Sequence, residues 1–165
     1  MPEKKTIERA KRDKLEGKSP STQAGEFVRE EIEHIRKGKH GARSAKQAIA
    51  IGLSKARRAG VPLKPPAKDR VSEKTLKSAE SAYKKGQSHE PISKTRSAAS
   101  EKALKRESSS AASHSALSRQ AREAAKSRSP AEKSRAAKKA VETKGPKKRS
   151  EAAKKAARTR AKNLD

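Results

Sequence analysis

Between residues 37 and 58 the basic residues fall into two groups. Lys37, Lys39, His40, Arg43 and Lys46 surround Gly38 and Gly41, and Lys55, Arg57 and Arg58 follow a short apolar stretch. Glycine lets backbone come close to a ligand, and where such a group opens a helix its free N–H groups attract anions as well. Together these features predict a phosphate clamp. A bland reading stays open beside it, because cations near a helix C-terminus also offset the helix dipole, which suffices for Lys55, Arg57 and Arg58.

A second reservoir of cations lies near the C-terminus. Residues 118–164 hold 17 Lys and Arg against four Glu, a charge of +13, and include Lys138, Lys139, Lys147, Lys148, Arg149, Lys154, Lys155, Arg158 and Arg160. Three segments beginning at Ser118, Ser134 and Ser150 align at a spacing of 16 residues. The period is too short, and bulky residues too few, for a stacked solenoid. It predicts serial short helices whose self-repulsion leaves them partly unfolded until phosphates neutralise them.

Other chemistry has little to work with. His34, His40, His89 and His114 are scattered, cysteine is absent, and no H-E-x-x-H, P-loop or G-x-S-x-G pattern occurs. Glu30, Glu31 and Glu33 cluster alongside Arg29, Arg36 and Lys37, the pattern of a solvated helix face with local ion pairs. Ile, Leu, Val and Phe number only 18 of 165 residues, too few to enclose a pocket that shifts pKa values and excludes water. The expectation is a non-enzymatic chain with no metal, cofactor or small-molecule substrate.

The elements that must carry these cations are helical. Residues 3–16 read as a short charged helix. From about Thr22 to Lys37, Val28, Ile32 and Ile35 recur at helical spacing beside Phe27, and Gly38 follows as a C-terminal stop. Ser44 and Gln47 have capping-box spacing; Ile49, Leu53 and Ala56 mark a face with Ala45 and Gly52, and Gly60 with Pro62 ends the run. The two helices can pair, with Gly52 and the alanines allowing close approach. After a proline-rich linker at 61–70, Ser72 to Lys85 forms a third candidate, with Leu76, Ala79 and Tyr83 on one side. Ser129-Pro130-Ala131-Glu132 is another capping box, and Gly145-Pro146 stops the helix it begins.

The fold class expected is therefore mostly α with extensive disorder: a small N-terminal helical hairpin, then serial short basic helices, and no large core. Residues 1–20 form a charged helix and linker, 21–63 the hairpin domain, and 64–92 a proline-containing linker with a short helix. Residues 93–165 form a Lys/Ala/Ser-rich tail, largely disordered when free.

A net charge of +26 seeks polyanions. One Phe and one Tyr cannot build the stacking platform that single-strand binders and common RNA modules use. The expected partner is nucleic acid, duplex DNA ahead of RNA, through phosphate contacts. The alternative is an RNA- or ribosome-associated basic protein, and a third class is a disordered stress-protective or scaffold protein. A helix-turn-helix that reads bases fits poorly, because the turn is long and Gln47 is the main base-reading side chain near the second helix start. No apolar run resembles a signal peptide or membrane span, so a cytoplasmic, nucleoid setting is expected.

The block from Gly38 to Gly60, GKHGARSAKQAIAIGLSKARRAG, resembles one in small basic bacterial proteins of a domain family of unknown function, often called DNA-binding proteins. The resemblance covers about residues 21–63 and implies a bacterial source, without assigning a catalytic residue or ligand. The tail resembles, in composition, the Lys/Ala-rich tails of bacterial linker-histone-like proteins. Its Ser129-Pro130-Ala131-Glu132 departs from the S-P-K-K type of minor-groove motif.

Overall fold

Apolar side chains at helical spacing, punctuated by glycine and by serine caps, give the first helices, and alanine-rich composition with serine caps gives those that follow. The computed structural model describes residues 2–88, 91 and 93–162, so the candidate His89 lies outside the described residues. The helices are α1 (Lys4–Leu15), α2 (Pro20–Arg36), α3 (Ala45–Arg58), α4 (Glu73–Gln87), α5 (Lys94–Leu104), α6 (His114–Lys126) and α7 (Pro130–Lys162). Short 3₁₀ turns lie at Lys68–Arg70 and Ser109–Ala112, and no strand occurs among the described residues. None of these helices is long and apolar enough to cross a membrane. The chain divides into two compact units, residues 1–121 and 122–165.

In the first unit α2 and α3 pair as a hairpin. They cross where α3 has no side chain: a Cβ on Gly52 would fall 2.6 Å from the Cα of Val28. Ser44 caps α3, its Oγ accepting from the Gln47 N–H at 3.2 Å while Gln47 Oε1 accepts from the Arg43 N–H at 2.8 Å. Gly38 and Gly60 follow α2 and α3 with φ of +70° and +85°, the left-handed conformation that favours glycine.

Two small apolar clusters flank the crossing. One gathers Ile32, Ile35, Ala42 and Ala48 with Ala111 and Ala112, and the other Ala24, Phe27, Ala56 and Val61 with Ala10. Burying Phe27 and Ile35 contributes about 2 kcal/mol each, whereas each alanine contributes much less. The core stays thin because alanine fills it.

The hairpin has more cover than the sequence indicates. Helix α1 packs on α2, with an Arg9–Glu26 ion pair at 2.6 Å. Helix α4 packs on α3 through a face that includes Leu76, Ala79 and Ala82, and Tyr83 is half-buried. The segment from Leu104 to Ala112 closes over the α2–α3 connection: Gly41 N–H donates to the Leu104 carbonyl at 2.9 Å, and Ala42 N–H to that of Ser108 at 3.0 Å. Arg36 Nε donates to the Ala112 carbonyl at 2.9 Å.

The basic repeats begin at the end of the first unit and fill the second, and here extensive disorder is not what the structure shows. Each repeat occupies its own helical piece: α6, the part of α7 before Gly145, and the part after it. Alanine, lysine, arginine and glutamate all favour helix. Ser129 and Glu132 complete the capping box, Glu132 Oε2 accepting from the Ser129 N–H at 2.8 Å and Ser129 Oγ from the Glu132 N–H at 3.2 Å. Gly145, at φ +64°, breaks α7, and Pro146 opens the next piece where its missing N–H costs nothing.

Candidate nucleic-acid interface

The cations around α3 separate into an outward and an inward set. Lys37, Lys39, Arg43 and Lys46 lie exposed along the α2–α3 connection and the first turn of α3, and Arg58 is exposed at the far end. Twelve residues of helix place Arg58 about 18 Å from Lys46. Their acidic neighbours are loose or exposed: Lys37–Glu33 at 3.9 Å, Arg43–Glu107 at 3.8 Å and Lys39–Glu3 at 3.0 Å.

His40, Lys55 and Arg57 correct the expectation of a single clamp, because the chain's own groups occupy them. Lys55 Nζ reaches Glu31 Oε2 at 2.5 Å. Arg57 is buried, donating from Nε to the Leu63 carbonyl at 3.1 Å and from a terminal nitrogen to that of Lys64 at 3.4 Å. Burial pushes its guanidinium pKa down. It clasps the chain leaving α3. His40 is turned inward toward Glu31.

Gly41 also has a different task from the one expected. A Cβ there would fall 1.9 Å from the Glu107 carbonyl oxygen, so its bareness admits the chain's own backbone rather than a phosphate. That contact brings residues 104–108 beside the loop and adds exposed Arg106 to its basic surroundings. Nothing in the local spacing signals Arg106, since the contact joins segments more than 60 residues apart.

In the tail Lys138, Lys139, Lys147, Lys148, Arg149, Lys154, Lys155, Arg158 and Arg160 are all exposed, and none forms an ion pair among the described residues. Helical geometry arranges those after Gly145. Lys147, Lys154 and Arg158 recur at i, i+7 and i+11 on one face, flanked by Lys148 and Lys155. Arg149 and Arg160 lie on the opposite face. The result is a stripe about 16 Å long carrying five positive charges.

One cluster was missed altogether. Glu31 and His34 lie three residues apart on α2, and His40 follows in the connection. In both Glu31–His34–His40 and Glu3–Glu30–His34, one potential ligand atom from each residue lies within 4.8 Å of the others. The carboxyl of Glu3 accepts from His34 Nε2 at 2.8 Å and from Lys39 Nζ at 3.0 Å, which lowers its pKa to about 2. The E-x-x-H spacing was the available signal.

Compared with protein-family models, curated proteins and solved structures, the chain matches none.

Proposed function

We propose that the chain is a non-enzymatic, histone-like protein that holds duplex DNA by its phosphates, in a bacterial nucleoid. The observation that carries this reading is the unpaired, exposed set of tail cations, with five on one helical face. Phosphates spaced along a duplex groove are the counter-charge such a stripe fits. The exposed loop cations add a second set of contacts. The likeness of the 38–60 block to small basic bacterial proteins supports the setting.

Two observations favour non-specific duplex binding over the alternatives. Phe27 is buried, at 1% exposure, and so is unavailable to stack on a base. Gln47 spends its side-chain oxygen on the Arg43 N–H and is committed to the cap instead of a base edge. The two pieces of α7 bury no apolar face, so in free solution their helicity rests on propensity and caps alone. Phosphate neutralisation removes the repulsion that opposes it.

Competition decides between partners. A labelled 30-base-pair duplex is bound to the full chain and challenged with unlabelled duplex, single-stranded DNA and structured RNA. Duplexes of unrelated sequence should compete equally, and single strands less well. Preferential displacement by structured RNA would replace this reading with the ribosome-associated one.

A further inference from the structure

We propose that Glu31, His34 and His40 form a binding site for a divalent transition-metal ion, with Zn²⁺ the best match to the ligand set. Two imidazoles and one carboxylate leave a fourth position for water, as in open three-ligand zinc sites.

The argument starts from His40. Its Nδ1 lies 3.1 Å from the Gly41 carbonyl oxygen, and a carbonyl can only accept, so Nδ1 carries the proton. In the neutral ring Nε2 then presents a lone pair, and it faces Glu31 Oε1 at 3.4 Å. Glu31 is fully buried and this oxygen has no hydrogen-bond donor. Two lone pairs facing each other away from water oppose one another, and a cation between them removes that cost.

The spacing suits a metal. Bonds of about 2.0–2.1 Å in a tetrahedron put neighbouring ligand atoms about 3.3–3.4 Å apart, as Glu31 and His40 already are. His34 needs a modest approach, its ligand atom lying within 4.8 Å of the other two. The rings of His34 and His40 stand nearly perpendicular, with centroids 6.3 Å apart. The support is that of a metal site: the other nitrogen of His40 donates to a carbonyl, and Lys55 holds the second oxygen of Glu31.

The charges also leave room. Glu3, Glu30 and Glu31 bring three negative charges against Lys39 and Lys55, and Glu30 Oε2 is a second buried oxygen without a donor. A bound ion would pin the end of α2 to the α2–α3 connection, close to where that connection meets residues 104–108.

The test uses the full chain, stripped of metal by chelator dialysis and free of nucleic acid. Titration with Zn²⁺ should show one ion per chain, retained through gel filtration, and Mg²⁺ should not compete. His40→Gln and His34→Gln should each weaken binding by about 100-fold, whereas His114→Gln, at an exposed position in the first turn of α6, should leave it unchanged. Co²⁺ added to the unaltered chain should give the intense visible bands of a four-coordinate ion, a readout independent of any variant's folding. A pale six-coordinate Co²⁺ spectrum, or zinc retention equal in the unaltered chain and both histidine variants, would overturn the site. A protonated His40 paired with Glu31 would then be the explanation.

Discussion

Two glycines in the hairpin should respond oppositely to the same substitution. Gly25 lies exposed within α2, where a Cβ would meet nothing within 4 Å. Alanine there keeps the backbone and gains the helix propensity glycine lacks, so Gly25→Ala should stabilise by about 1 kcal/mol. Gly52→Ala gains the same propensity but puts its Cβ 2.6 Å from Val28 Cα and 3.0 Å from Val28 N. Ordinary contact would need about 1 Å more, and the obstacle is backbone, which has no rotamer to change. Separating two packed helices that far costs about 3 kcal/mol, leaving a net loss of about 2 kcal/mol. For a unit of this size 1 kcal/mol shifts Tm by roughly 4 °C. Gly25→Ala should therefore raise Tm by about 4 °C, and Gly52→Ala lower it by about 8 °C. Thermal unfolding can be followed by far-UV circular dichroism and by emission from the half-buried Tyr83, which reports on the first unit alone. Equal stabilisation by both substitutions would refute the crossing at Gly52.

Other outcomes follow from particular contacts. Arg57→Ala should destabilise by about 1–3 kcal/mol, because two carbonyls lose their donor, yet leave the salt dependence of DNA binding unchanged; denaturant unfolding and a binding titration check the two halves. Replacing Lys147, Lys154 and Arg158 together by Gln should reduce the slope of log affinity against log salt by about 2.7, whereas Arg149→Gln with Arg160→Gln should change it much less. Equal effects per charge would show that the stripe is not the contacting face. Zinc at 100 times its dissociation constant adds about 2.7 kcal/mol, and differential scanning calorimetry should show a Tm rise of roughly 10 °C that chelator reverses.

Much of the hairpin was legible because its signals are local. The helix expected between the Ser44 cap and the Gly60 stop is Ala45–Arg58, since Ser44, Gln47 and Gly60 each act on their own few residues. The glycine at the crossing was readable for the same reason, as were the tail's breaks at Ser129 and Gly145. What escaped depends on contacts between distant segments. Gly41 looked like a ligand-facing glycine until the backbone of Glu107 filled its space. Arg57 and Lys55 looked like surface cations, and only the fold supplies Leu63 and Glu31 as partners. Scattered His34 and His40 became neighbours because the α2–α3 connection folds back over α2. The tail's short helices were legible from its alanine content and caps, whereas the extensive disorder expected from its charge is not what the structure shows.

The central claim is that the chain's charge grips duplex phosphates. Binding of the full chain to a 30-base-pair duplex, measured by fluorescence anisotropy across a range of salt, tests it most directly. Five contacts from the tail stripe and three from the loop make about eight phosphates, for which log affinity should fall against log salt with a slope near −7. A slope shallower than about −2 would contradict the account.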